Sequence, residues 1–360
     1  MRDIPASRWD KDAGSAVFDE IQKEPSLFEK IKYAYDADSV GFSILLGSSQ
    51  ILLLKKIRES LAGRISIYEL WPLMMSEILS PDPNTAPKPL LDEILSGNKI
   101  SPILEKTSQI FGEEDAKLKE AESYLLRWGG MPALLHLPDE ERRKWLKDYE
   151  YSYLERDLAD LARLSDLDPF RKFQKRSALR ASNLLNYSEL ARDAAVSVDT
   201  AKRYLEYLRI SYQVLLLQPY FANHSTSLVK TPKLYWIDVG LLRQMTGIWG
   251  ETSGALYENM VVSEIAKWLK TLQKNAEMYF YRTRGGLEVD VILEVEGKGV
   301  IGLEIKNRET VALSDATALK RIAQVFKERW LGGIVISRGD RIRKIADPDI
   351  WSAPSRRLFS

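Results

Sequence analysis

Apolar positions along the chain alternate between strand-like and helix-like spacing. In SAVFDEIQ, residues 16–18 read as a short strand that ends in two acids, Asp19 and Glu20. Pro25 opens a helix in which Leu27, Ile31 and Ala34 share one face. FSILLGSSQ predicts a buried strand closing in a Gly-Ser turn at Gly47, Ser48 and Ser49. ILLLKKIRESLAGR predicts a helix that ends at Gly63, followed by Arg64, and ISIYEL predicts another strand. Strands separated by helices in this order imply parallel pairing through crossovers.

The next stretch, 77–103, carries Pro81, Pro83, Pro87, Pro89 and Pro102 and reads as a loop or lid. Residues 115–180 are helical by pattern, with Tyr124, Leu125, Trp128, Trp145, Tyr149 and Leu154 as stripe positions. Gly129, Gly130 and Pro132 break that pattern, and Trp128 and His136 are expected to pack around the break.

Residues 184–237 resemble a winged helix. Asn186 with Glu189 three places on is a helix-opening pair. Ser197 can cap a second helix, Val198 to Leu208, in which Ala201, Tyr204, Leu205 and Leu208 point inward. Asp199, Thr200, Lys202, Arg203 and Glu206 face away, and two strands, YQVLLLQPYF and KLYWID, follow around a loop. Residues 254–338 predict a second α/β unit. It comprises the amphipathic helix GALYENMVVSEIAKWLK, a hairpin turning at Gly285-Gly286, the strand GVIGLEIKN, a helix around 319–326 and the strand GGIVIS.

A length of 360 residues fits two to three domains. Hydrophobic content of 45% beside 29% charged residues is that of a folded globular chain. No apolar run reaches the roughly 18 residues of a membrane span, since Gly47 to Gln50 interrupt the richest one. The charged opening MRDIPASRWDKD is no secretory signal, so no membrane association and a cytoplasmic location are expected. There is no cysteine, and only His136 and His224 are present, which argues against thiolate nucleophiles, His-rich metal sites and serine–histidine triads.

The net charge of +1 conceals a division: residues 1–169 sum to −9, 170–234 to +7, 235–319 to −3 and 320–360 to +6. The basic blocks are candidate nucleic-acid faces, or simply solvated surface. In a helix-turn-helix the second helix enters the major groove, so Thr200, Lys202 and Arg203 are candidate DNA contacts. The acids Asp199 and Glu206 beside them favour a packing role instead.

Two constellations carry chemistry. Strand alternation puts Glu304 and Lys306 of LEIK on one face with Ile305 turned to the core, and Glu288 and Asp290 likewise share a face. With Glu258 upstream on a helix, such acids can hold a hard cation such as Mg²⁺, with Asp290 and Glu304 as ligands. Lys306 can then orient or polarise an attacking water for phosphodiester cleavage. This acid, D, ExK order resembles the restriction-endonuclease-like nucleases. The alternative is a structural ion pair of Lys306 with its carboxylate neighbours in an inactive copy of that fold. The second constellation, AVFDEIQ, has the Walker B form, in which Asp19 would orient Mg²⁺ and Glu20 polarise water.

Taken together, FDEIQKEPSLF, LLGSSQILLLKKIRESLAGRI, ELWPL, RWGGMPALL, YLERDLADL, PKLYWIDVGLLR, LYENMVVSEI, RTRGGLEVDVIL and LEIKN resemble one family along roughly residues 15–340. These are prokaryotic AAA-type ATPases with a C-terminal domain of unknown function. The resemblance implies an α/β multidomain fold. It divides into a partial AAA-type core over 1–76, a proline-rich and helical region over 77–180, a winged helix over 181–238 and a restriction-endonuclease-like domain over 239–360. It also implies a Walker B role for Asp19 and Glu20, a phosphate-sensing place for Ser48, an interface role for Arg64 in a homo-oligomer, and a nuclease-like site at Glu258, Asp290, Glu304 and Lys306.

One departure stands out. No G-x-x-x-x-G-K-[ST] phosphate loop occurs in the sequence, and too little chain precedes Asp19 to hold one. The sequence is expected to begin late relative to the family, as a fragment or from a misplaced start; the other reading is a protein that has abandoned ATP. Three functions remain open at this point: an ATPase-family protein with an incomplete nucleotide site and a nucleic-acid context, a metal-dependent nuclease, and a non-catalytic DNA- or protein-binding module.

Overall fold

The computed structural model describes residues 8, 9, 15–47, 61, 63–80, 88–97, 99–107, 112–153, 167–220 and 230–360. Strand β1 (Ala16–Phe18), helix α1 (Ser26–Asp36) and strand β2 (Ser43–Leu45) form the N-terminal unit. The two strands are parallel, with Val17 opposite Ile44, as a crossover connection requires. Leu27, Phe28, Ile31 and Ala34 on one stripe of α1 are buried, with Trp9, Phe18 and Ile21 in the same core. The helix expected over 51–63 lies almost wholly outside the described residues, as do Ser48 and Ser49.

The strand expected at ISIYEL does not form: residues 65–70 run as irregular chain, with Tyr68 and Leu70 exposed. A short apolar run becomes a strand only when a neighbour takes its backbone N–H and C=O groups. Among the described residues no strand pairs with it. The segment instead reaches the C-terminal half. Gln273 donates to the Ile67 carbonyl at 3.1 Å, and Trp71 sits edge-on to Tyr212 at 5.0 Å.

The proline-rich stretch, expected as a loop, contains three helices among its described residues. Helix α2 (Met75–Leu79) precedes the described gap, and α3 (Leu90–Ser96) and α4 (Ser101–Lys106) follow it. Pro89 caps α3 and Pro102 stands in the first turn of α4, where a missing N–H costs no helical hydrogen bond. Proline here starts helices rather than breaking them. Helices α5 (Glu113–Trp128), α6 (Asp139–Tyr153) and α7 (Asp168–Ala178) complete the helical region. Trp128 is buried as expected, but His136 is exposed and takes no part in the packing.

After β3 (Asn183–Leu184) come α8 (Tyr187–Asp193), α9 (Val198–Ile210), β4 (Val214–Pro219) and β5 (Lys233–Trp236). Both expected caps are made: Asn186 accepts the Glu189 N–H at 3.1 Å, and Ser197 accepts the Thr200 N–H at 3.1 Å. Ala201, Tyr204, Leu205 and Leu208 of α9 are buried, while Lys202, Arg203 and Glu206 are exposed. Helix α10 (Val239–Thr246) leads to α11 (Gly254–Thr271), then the meander β6 (Ala276–Arg282), β7 (Glu288–Val295) and β8 (Gly299–Lys306). Helix α12 (Thr317–Phe326) crosses to β9 (Trp330–Ser337), and β10 (Arg343–Ala346), β11 (Ile350–Pro354) and α13 (Ser355–Leu358) close the chain.

These strands form one nine-stranded sheet, ordered β10-β11-β9-β8-β7-β6-β4-β5-β3. The meander is antiparallel, β8 and β9 are parallel across α12, and β4 joins β6 in parallel through Gln218 and Pro219. The sheet therefore runs unbroken across residue 238. Leu303 and Ile305 of β8 pack in the core with Val261 and Ile265 of α11, and Ile292 of β7 packs with Leu319 and Ile322 of α12. Burying both faces suits the near-continuous apolar runs of β8 and β9.

Candidate functional site

The ends of the interior strands β7 and β8, together with the first turns of α11, gather the predicted acids. Val291 pairs with Leu303, so the next residues outward, Asp290 and Glu304, stand side by side on β7 and β8. Asp290 Oδ2 accepts the Ile305 N–H at 2.8 Å, between Glu304 and Lys306. Lys306 Nζ lies 2.6 Å from Glu304 Oε1, so these two share a face and Ile305 turns into the core, as the strand period predicts. Glu304 Oε2 is buried without a hydrogen-bond partner.

The centre of the pocket is Lys233, the first residue of β5, 3% exposed. Its Nζ lies 2.7 Å from Glu288 Oε1, 3.2 Å from Glu258 Oε1 and 3.8 Å from Asp290 Oδ1. Tyr235, two residues along the same strand, donates its hydroxyl to Glu258 Oε1 at 2.6 Å. Arg282 on β6 closes on the far oxygen of Glu288 at 3.1 Å. Glu258, Asp290, Glu304 and Lys306 are thus brought together as two ion-pair sets joined at Asp290, with Lys233 filling one of them.

The charges explain the titration behaviour. Burial, and then repulsion from Asp290, pushes Glu258 up to about 7 and Glu304 up to about 8. Burial likewise raises Asp290, against the pull of Lys233 and the Ile305 N–H. Burial alone would lower Lys233, but Glu258, Asp290 and Glu288 outweigh it and hold the ammonium charged well above the ordinary lysine range.

The Mg²⁺ expected at Asp290 and Glu304 can be tested against this arrangement. A hard cation of that size draws oxygens to roughly 2.0–2.1 Å in a near-octahedral shell. The carboxylate oxygens here are spaced for hydrogen bonds to an ammonium, and Glu304 is engaged by Lys306. Among the described residues no group of three or more His, Asp or Glu is placed to hold a metal ion. As they stand, these side chains do not fit the metal.

Elsewhere the expected residues are spread out. Asp19 and Glu20 follow β1; Asp19 Oδ1 accepts the Glu20 N–H, and Glu20 pairs with Lys23 at 3.1 Å. Ser48 lies outside the described residues. Arg64 forms a two-point ion pair with Asp36 at the end of α1, at 2.5 and 3.2 Å. On α9, Thr200 bonds Ser197, Lys202 stands 3.7 Å from Asp199, and Arg203 lies over the Tyr204 ring. Sequence reading gave no role to Lys233 or Tyr235. The available signal was a lysine opening an otherwise apolar strand, KLYWI, where a cation needs a buried acid partner.

A parallel strand–helix–strand unit followed by a helical region and a large mixed sheet defines an α/β protein with several layers. Comparison with known proteins agrees with that class. Residues 5–79 match an AAA domain, residues 119–252 a domain of unknown function (DUF8612) and residues 253–356 another (DUF4143). In order along the sequence, the chain is thus similar to an AAA domain followed by two domains of unknown function. It is 28% identical over 310 residues to the uncharacterized protein Rv2008c of Mycobacterium tuberculosis, covering 84% of this chain and 60% of that one. It is 25% identical over 313 residues to the uncharacterized protein MJ1544 of Methanocaldococcus jannaschii, covering 83% and 63%. The chain thus spans about 60% of the length of these curated relatives. Among the described residues no helix is long and apolar enough to cross a membrane.

Proposed function

We propose that this chain acts as a nucleic-acid-associated protein of the AAA-type ATPase family, with residues 181–238 as a winged helix that contacts DNA. The observation that carries the reading is the outward face of α9. Thr200, Lys202 and Arg203 lie on the second helix of a helix–turn–helix, and residues 170–234, which add the cations of α7 and Arg180 just before it, carry a net charge of +7. The helix–turn–helix is followed by the antiparallel strands β4 and β5, the order a winged helix requires. A cleft of about 990 Å³ beside it is lined by Lys202, Arg282 and Arg180, the last paired with Glu189 of the same lining at 2.7 Å. The Lys202–Asp199 pair is solvent-exposed and worth little, so a phosphate can replace the aspartate.

The order of α11, an antiparallel meander, α12 and a parallel strand supports a restriction-endonuclease-like domain over 239–360. The nuclease reading draws on the meeting of Asp290 with Glu304 and Lys306, and Lys233 weighs against it. The ATP-related roles of Asp19, Glu20, Ser48 and Arg64, and assembly into a homo-oligomer, belong to the same proposal at the scale of the whole ATPase.

Fluorescence anisotropy with a labelled duplex, titrated across salt concentrations, tests the proposal. Lys202→Ala with Arg203→Ala weakens binding at least tenfold and lowers the salt slope by about 2. Binding that ignores both salt and these substitutions would falsify the DNA reading. Cleavage of the same duplex with Mg²⁺ that Asp290→Ala abolishes would establish the nuclease instead.

A further inference from the structure

We infer that Lys233 is the resident cation of the acid pocket: its ammonium fills the space among Glu258, Glu288 and Asp290 and shuts these three carboxylates to metal ions. Three observations carry this. The ammonium is nearly enclosed, 3% exposed, and reaches three carboxylates at 2.7, 3.2 and 3.8 Å. It arrives from β5, a strand outside the helix and meander that supply the acids, so the pocket is completed by a neighbouring part of the sheet. Each acid is also held at hydrogen-bonding rather than metal-bonding separation by a second partner: Tyr235 on Glu258, Arg282 on Glu288, and the Ile305 N–H on Asp290.

The electrostatics explain why a lysine is kept there. Three part-buried carboxylates crowded together without a counter-charge would repel one another and lose much of their hydration, a cost that protonation or a bound cation removes. Lysine supplies one positive charge permanently, by covalent attachment. A metal entering the pocket must displace an ammonium that cannot leave, or force it to give up its proton while three acids surround it. The ExK lysine, Lys306, does not contribute to this blockade, because it is paired to Glu304.

The experiment measures Mn²⁺ binding to the full chain by electron paramagnetic resonance of free Mn²⁺, for wild type, Asp290→Asn, Lys233→Met and the double variant. Wild type and Asp290→Asn give the same isotherm. Lys233→Met gains one saturable site at least tenfold tighter than any in wild type, and the double variant loses it. Mn²⁺ also raises the melting temperature of Lys233→Met without moving that of wild type. A wild-type site weakened tenfold or more by Asp290→Asn would overturn the inference, and so would a folded Lys233→Met that gains nothing. The wild-type comparison requires no change at Lys233, so it can overturn the inference even if that variant does not fold.

Discussion

At the scale of single residues, the pocket makes stability depend on pH. Glu258 at about 7 and Glu304 at about 8 stand above the ordinary glutamate value of about 4.3, because burial and Asp290 penalise their charged forms. The folded state therefore holds protons that the unfolded chain has released. This contribution is fully present below about pH 4.3 and is lost as pH rises through about 7 and then about 8. Denaturant midpoints are expected to fall between pH 5.5 and 8.5, with a slope of up to ~1.4 kcal/mol per pH unit for each group. Glu304→Gln flattens the upper part of the curve. A midpoint that climbs across this window would contradict the assignment. Lys233 shows what strand alternation can and cannot convey. The period of two put Glu304 with Lys306 and Glu288 with Asp290, as found, but it carries no information about which distant lysine will meet them.

At the scale of elements, Asp238 joins two of them. Its carboxylate caps α10 by accepting the Leu241 N–H at 2.9 Å and takes the Gly130 N–H at 2.7 Å just beyond α5. Gly129 has a φ of +76°, and a Cβ there would stand 2.2 Å from Asp238 Oδ1, so glycine is required for the approach. Asp238→Ala leaves two N–H groups buried without acceptors and is expected to cost about 2–4 kcal/mol in urea unfolding. A loss under 0.5 kcal/mol would show that solvent reaches the junction. The RWGG motif and the aspartate of KLYWID were both visible in the sequence, yet their contact spans 108 residues and no local pattern encodes it. The caps of α8 and α9 were legible because a cap is satisfied within three residues.

At the scale of the whole molecule, a buried ion pair fastens the segment after the N-terminal unit to the C-terminal sheet. Lys267 and Glu264 on α11 are each 2% exposed and bonded to one another. Lys267 also donates to the Leu73 carbonyl at 3.0 Å, and Glu264 accepts the Met75 N–H at 2.8 Å. Lys267→Ala strands a buried carboxylate and is expected to destabilise by about 3–5 kcal/mol, whereas Lys267→Met with Glu264→Leu recovers much of that loss. Hydrogen exchange at the Met75 amide should quicken in both variants, because its acceptor loses its ion partner in the first and is removed in the second. Unchanged exchange there would mean that packing alone holds the segment. This docking also accounts for the failed strand at 65–70: its backbone and side chains turn to Gln273 and Tyr212 instead of to a sheet.

The sequence by itself determined what depends on near neighbours: the helix stripes, the caps, the strand alternation and the strings that resemble AAA-type proteins with a C-terminal domain of unknown function. Tertiary structure alone decided what depends on residues far apart in the chain. It joined β4 to β6 in one sheet, set helices behind Pro89 and Pro102, and placed Lys233 among carboxylates drawn from a helix and a separate strand. Periodicity reports which side of an element is buried, whereas the partner met across that burial depends on how the chain closes on itself.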